Sequence, residues 1–428
     1  MFYKYKITNY LKQYKLQDLL IILLFSLIPI SFILGNLFIN LNVILVDLFF
    51  LIICFRNKNW NWLKEKMFIL IFLFYVYLVC NSFFSIQNPV GDIFSVNRSL
   101  GFLRYIILIF AVEHLMFKNN RFEPIFISWS FVTLVVLIDI LFEFIFGFNI
   151  VGNTSPNSLR IVSFFVDELV VGSLILLFGY LSAIFLLDKL KDSYKTKIIS
   201  NIILISIPII IFLTGERSNF IKSTILFSIL IFFIKDFLLI INKAKLFIVF
   251  LIIIISFLFL NQNLKTSYSA FFKRIARVQS VDLISKLENI QYIAHYDTAI
   301  RIFKNYPISG IGSRNFRYEC ANPRYHNEKL KMNSHRCATH PHQIHFELLS
   351  EHGIIGYLFI IIFIFNFLFN NFKVFLLKKN LLHLSTLLYI FVTMIPILPS
   401  GSLFSTFNAS LFWLNFALAY SFMVSKEK

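Results

Sequence analysis

Apolar residues run through this chain in blocks of about 20, enough to cross the hydrocarbon core of a bilayer as helices. Roughly twelve blocks qualify: 17–35, 38–55, 67–85, 99–117, 125–147, 167–187, 198–214, 218–235, 245–260, 354–372, 382–400 and 402–424. Most of the joining segments are short and polar. Residues 261–353 are too long for a connector and read as a partly helical subdomain outside the membrane. The pattern predicts an all-α polytopic membrane protein with about 12 transmembrane helices and one large extracytoplasmic loop between helices 9 and 10. The chain divides into residues 1–260, 261–353 and 354–428.

Inside the loop, apolar residues at helical spacing predict a helix from Asp282 to Phe303. The segment Tyr306-Pro307-Ile308-Ser309-Gly310-Ile311-Gly312 ends it, since proline and paired glycines break helices. A second helix is expected to open at Pro341, where a missing N–H costs nothing. That places His342 in its first turn, with His345 three residues on, along the same face.

Composition agrees with the membrane reading. Of 428 residues, 58% are hydrophobic, 55 are Phe and only 14% are charged, which excludes an ordinary soluble domain. The net charge of +18 invites a nucleic-acid partner, but its distribution argues for topology instead. With both termini cytoplasmic, about 22 of the 40 Lys and Arg residues fall in cytoplasmic segments, as the positive-inside rule requires. The basic N-terminus leads into an apolar run with no small-residue cleavage site, which reads as an uncleaved first span.

Four cysteines divide by location. Cys54 and Cys80 lie in or beside spans and read as small apolar residues. Cys320 and Cys337 both fall in the long loop, where an oxidising compartment favours a disulfide over two free thiols. Closing a loop of roughly 17 residues would stabilise it by about 3 kcal/mol in the chain-entropy model.

The candidate chemistry gathers on the extracytoplasmic side. Thr339-His340-Pro341-His342-Gln343-Ile344-His345 concentrates the side chain best suited to moving protons near neutral pH. A helix N-terminus and nearby arginines would disfavour imidazolium and keep His342 a proton acceptor. The plainer alternative is a surface histidine that caps or packs. A zinc site made from His335, His340, His342 and His345 is a third, though closed structural sites want four ligands at recognisable spacing. Arg217 sits in a turn between two spans, where an isolated guanidinium needs water, an acidic partner or an anion. Guanidinium suits phosphate because it binds bidentately. Arg160 at the same membrane face is a weaker candidate. Arg274, Arg277, Arg301, Arg314, Arg317, Arg324 and Arg336 make the long loop basic.

Three segments together resemble the O-antigen ligase and O-antigen polymerase superfamily. They are Thr214-Gly215-Glu216-Arg217-Ser218, then Ala299 through Gly312, then His340-Pro341-His342-Gln343 followed by Glu351-His352-Gly353-Ile354-Ile355-Gly356. The resemblance implies a membrane glycosyltransferase of the bacterial inner membrane, with a periplasmic loop and an undecaprenyl-pyrophosphate-linked glycan as donor. It implies no metal, cofactor or nucleotide. His342 matches the family's base and Arg217 its pyrophosphate ligand. A second family arginine would fall at Tyr292, which carries no charge. Arg301 on the same helix lies nine residues away, on the opposite face. This leaves Arg160, Arg274 or Arg277 to supply the second cation, with His340, His345 and Tyr292 as supporting groups. A ligase would pass the glycan to lipid A–core or a similar acceptor; a polymerase would pass it to a second lipid-linked glycan. A transporter of lipid-linked sugars is the rival of another class, expected to show internal repeats and charges deep in several spans. Membrane lipids are the remaining partner, and nucleic acid is not one.

Overall fold

A computed structural model describes residues 14–85, 93–117, 121–157, 159–165, 168–189, 194–234, 242–276, 291–396 and 398–425. Among these residues no strand occurs. The main elements are α1 (Leu16–Leu34), α2 (Asn36–Arg56), α3 (Lys66–Ser85), α4 (Ser95–Met116), α5 (Phe122–Phe146), α6 (Val171–Lys189), α7 (Tyr194–Leu213), α8 (Arg217–Phe233), α9 (Lys243–Leu260), α10 (Gln262–Ala276), α11 (Gln291–Asn305), α12 (Ile344–Lys378), α13 (Leu381–Thr393) and α14 (Thr406–Val424). Nine of these, counted over the described residues, are long and apolar enough to cross a membrane: α1 to α6, α9, α12 and α14. The other three expected spans correspond to α7, α8 and α13, which are shorter or less apolar.

Burial separates central helices from peripheral ones. In α6 and α14, 83% of the most apolar stretch is buried in protein, against 17% in α9. A helix apolar on every side must be surrounded by protein or by lipid. The first two are surrounded by protein, and α9 is left to face lipid. α14 packs on α4 and α13, and α13 packs on α8. Hydrogen bonds cross this interior: the Asn415 amide donates to the Thr386 carbonyl at 2.8 Å, and the Trp129 indole to the Phe25 carbonyl at 2.8 Å.

Helix α12 runs from Ile344 to Lys378 but breaks at Gly353, whose φ is 60° and ψ −167°. The expected loop helix and the expected tenth span are therefore two halves of one kinked element. The kink has a specific cause. In an unbroken helix the N–H groups of residues 354 and 355 would bond the carbonyls of residues 350 and 351. Here Ile354 donates to the Pro307 carbonyl (2.8 Å) and Ile355 to the Ile308 carbonyl (3.4 Å). The carbonyls of Ser350 and Glu351 accept instead from Ile311 (3.1 Å) and Gly312 (2.8 Å). Two helix bonds are exchanged for four between the break and the Pro307–Gly312 turn, which pair each of these N–H and carbonyl groups. A Cβ at Gly353 would fall on the Ile308 carbonyl, and one at Gly310 on the Glu351 backbone. From α3, the Asn81 amide donates to the Glu351 carbonyl at 3.2 Å.

Two further boundaries differ from expectation. The span expected over 382–400 ends at Thr393, and residues 394–396 and 398–405 leave the helix. Pro396 and Pro399 lack the N–H groups a helix needs, and Gly401 follows. The loop helix expected over 282–303 is α11, from Gln291 to Asn305; residues 277–290 lie outside the described part.

Candidate functional site

Non-helical segments from distant parts of the chain meet at one end of the bundle, around a cavity of about 670 Å³. That volume lies within the usual range for small-molecule sites, roughly 300–1,000 Å³. Arg160, Arg217, His340, His342 and Tyr292 all line it.

The cationic wall is built on the start of α8. Glu216 is the N-cap residue and Arg217 the first helical residue, so the positive end of the helix dipole faces the same space as the guanidinium. One turn further, Lys222 is buried yet still lines the cavity. Glu216 accepts a hydrogen bond from the Gly172 N–H at 2.8 Å and another from the Asn219 amide. Gly172 is required for this approach, because a Cβ there would stand 2.8 Å from Glu216 Oε2. Arg160 reaches the wall on a loop fastened at both ends. Ile161 donates to the Thr214 carbonyl at 3.1 Å. Asp139 accepts from the Ile150 N–H at 2.7 Å and Glu143 from the Ser163 N–H at 2.6 Å. Those two carboxylates near the end of α5 thus hold the loop that carries Arg160.

His342 stands before α12, not within it. Helix α12 starts at Ile344, and Gln343 caps it, its side-chain oxygen accepting from the Phe346 N–H at 3.1 Å. The expectation that Pro341 opens the helix is therefore corrected, and with it the shared helical face for His342 and His345. His342 has φ 57°, a left-handed conformation that costs a non-glycine residue roughly 1–2 kcal/mol. Ser400 offsets that cost. Its N–H donates to the His342 carbonyl at 2.8 Å, and its Oγ accepts the Ile344 N–H at 3.0 Å. The preceding Pro399 carbonyl accepts from Ser218 Oγ (2.6 Å) and Lys222 Nζ (2.9 Å). Two adjacent residues of the α13–α14 connection thus tie the cationic helix start to the histidine loop.

Around His342 the rings are close. Ring centroids lie 4.3 Å away for His340, 5.4 Å for His295 and 5.6 Å for Tyr292. Burial, and then the neighbouring His295, lower the pKa of His342 to about 4. His340 is pushed to about 3 by burial first, then by His342 and Arg314. Both imidazoles are therefore neutral near pH 7. The direction agrees with the sequence expectation, but desolvation is the main cause, not the helix dipole. His295 Nδ1 lies 3.0 Å from the Arg336 carbonyl, so that nitrogen carries the proton and Nε2 the lone pair. Arg336 is itself fixed, its guanidinium donating to the carbonyls of Cys320 (2.9 Å) and Ala321 (3.1 Å). Cys320 and Cys337 are joined by a disulfide.

The remaining candidates lie elsewhere. His345 does not line the cavity; Nε2 bonds the Met394 carbonyl (2.8 Å) and Nδ1 the Tyr357 hydroxyl (3.2 Å), which fastens α12 to the end of α13. Arg301 pairs with Asp297 on its own helix at 2.7 Å. Arg277 lies outside the described residues. Among the described residues no group of three or more His, Cys, Asp or Glu is arranged to hold a metal ion. Sequence reasoning missed Lys222, His295 and Ser400. A lysine inside an expected span was the available signal for the first, and the Pro-rich stretch at 396–402 for the third. His295 carried none.

Comparison with known proteins supplies one finding for this arrangement. Residues 202–361 match the family model described as O-antigen ligase, a region that contains Arg217, Lys222, His295, His340 and His342. No curated protein matches the chain.

Proposed function

We propose that this chain, whose residues 202–361 match the O-antigen ligase family model, is a membrane glycosyltransferase that transfers a glycan from undecaprenyl pyrophosphate to an acceptor hydroxyl. The observation that carries this reading is the common cavity: a neutral imidazole and at least two fixed cations, Arg217 and Arg160, line one space of substrate size. Lys222 adds to the cationic wall.

In this mechanism the donor pyrophosphate rests against Arg217, Arg160 and the α8 N-terminus. His342 accepts the proton as the acceptor O–H breaks. The oxygen attacks the anomeric carbon, a new C–O bond forms, and the bond from that carbon to the phosphate oxygen breaks with inversion. Undecaprenyl pyrophosphate leaves with the electron pair, its growing charge stabilised by cations already in place. The imidazolium then returns its proton to water. Activation resides in the donor, so no metal, cofactor or nucleotide is needed. We place the reaction at the periplasmic face of a bacterial inner membrane, with residues 261–353 supplying the base. A ligase role, with lipid A–core or a similar acceptor, is the preferred form.

Purified protein given a lipid-linked glycan donor tests this, with lipid A–core and a second lipid-linked glycan offered in separate reactions. A single transfer to lipid A–core is expected, and His342→Ala should abolish it. Stepwise chain growth would instead make the protein a polymerase, and full activity in His342→Ala would remove the base.

A further inference from the structure

A second group of arginines lies next to the histidine loop and does not line the cavity. Arg314 sits in a left-handed conformation, φ 63°. Its backbone is gripped from two sides. Its N–H donates to Glu351 at 2.7 Å, and the adjoining Ser313 carbonyl accepts from Ser95 Oγ of α4 at 2.8 Å. The side chain is treated differently: Nε and Nη1 of Arg314 are buried with no hydrogen-bond partner among the described residues, and so is Nε of Arg317. The nearby carboxylates attract these guanidiniums but give them no hydrogen bond: Glu351 accepts from the N–H groups of Arg314 and Phe316, Glu347 Oε2 from that of Leu403, and Glu347 Oε1 is buried without a partner among the described residues. Buried guanidinium donors without acceptors are expensive, and an anion is their natural complement. The group also grades outward, with Arg314 and Arg317 half-buried and Arg98, which acts electrostatically on Arg317, exposed. It adjoins the site: an Arg317 guanidinium N–H points at the Thr339 carbonyl at 3.5 Å, and Thr339 Oγ1 lies 3.0 Å from His340 Nδ1. The His340 ring in turn lies 4.3 Å from that of His342, centroid to centroid.

We propose that Arg314 and Arg317 form a second anion site that binds a phosphate of the acceptor, so that an acceptor hydroxyl lies against His342. This rests on the transferase reading above. The donor diphosphate has its own cations around Arg217, so the second pair sets which acceptors are used.

The test uses the full-length protein in phosphatidylcholine nanodiscs, with lipid-linked glycan as donor. Lipid A–core is supplied intact or after phosphatase treatment. Arg317→Gln and Arg314→Gln should each raise the acceptor KM roughly tenfold, the equivalent of about 1.4 kcal/mol. The donor KM and the saturated rate should stay within about twofold, and Arg314→Lys should recover part of the loss. Dephosphorylated acceptor should show the raised KM with wild type and variants alike. An unchanged acceptor KM overturns the proposal; so does a parallel fall in every parameter, which marks a folding role. Wild-type inhibition by phosphatidylglycerol that is absent from Arg317→Gln would assign the site to membrane headgroups instead and overturn the acceptor assignment. Failure of wild type to transfer at all counts against the transferase reading alone. Binding of intact lipid A–core and of the lipid-linked glycan, read by native mass spectrometry, then decides the site: loss in Arg314→Gln/Arg317→Gln but not in His342→Ala supports it, and equal or no binding overturns it.

Discussion

Two glycines with positive φ should respond very differently to alanine. Gly147 (φ 80°) ends α5 and a Cβ there meets nothing within 4 Å, whereas a Cβ at Gly353 (φ 60°) lands on the Ile308 carbonyl. Gly147→Ala therefore costs only the left-handed penalty, about 1–2 kcal/mol. Gly353→Ala starts from a backbone region that only glycine adopts readily, ψ −167° against 2° at Gly147, at about 1–3 kcal/mol, and adds the separation of the Pro307–Gly312 turn from α12, with its four backbone hydrogen bonds at about 0.5–1.5 kcal/mol each. The sum is at least about 3 kcal/mol. The consequence should extend to chemistry, because the segment of α12 before the break begins two residues after His342. Thermal denaturation of the detergent-solubilised variants, followed by fluorescence-detected size exclusion, gives the ranking. Glycan transfer by the fraction still folded gives the functional cost. Gly353→Ala should melt well below Gly147→Ala and transfer poorly even when folded. Equal melting temperatures, or normal transfer by folded Gly353→Ala, would refute the idea that the turn fixes the kink and the kink fixes the histidine.

Three other outcomes follow from the site. Ser400→Ala removes the acceptor of a buried Ile344 N–H, a loss of about 1–3 kcal/mol; transfer should fall at least tenfold while binding of undecaprenyl pyrophosphate, measured by equilibrium competition, stays within twofold. Transfer should be flat with pH from 6 to 8 and fall only toward the His342 pKa of about 4, so a kcat/KM profile with a limb near 6.5 would contradict a buried neutral base. The same shift affects stability. Because His342 and His340 titrate lower when folded than when unfolded, their contribution is present above about pH 6.5 and is lost as pH falls from there toward 4; thermal denaturation across that range should show the loss reduced in His342→Ala.

Hydropathy reveals the helices because length and apolar composition are properties of each segment alone. It fails where segments replace one another's hydrogen bonds. The Pro307–Gly312 turn and Glu351-His352-Gly353 are both conspicuous in the sequence, but their mutual exchange of backbone bonds is visible only in three dimensions. The expected helix through 382–400 failed for a local reason: apolar content outweighed Pro396 and Pro399 in the reading, although those residues decide where α13 stops. His342 and Arg217 were readable because polar residues at a membrane face stand out. His295 was not, since one histidine on an amphipathic helix has no signature until its neighbours are known. Ser400 acts through its main chain as well as its hydroxyl, and main-chain roles leave little trace in residue identity.

The most direct measurement is the affinity of undecaprenyl pyrophosphate for wild type, Arg217→Gln and His342→Ala, taken with single-turnover transfer on the same samples. If one cavity holds the diphosphate beside a neutral imidazole, Arg217→Gln weakens binding tenfold or more, while His342→Ala binds normally and transfers nothing. Normal binding by Arg217→Gln, or measurable transfer by His342→Ala at the wild-type rate, would contradict it.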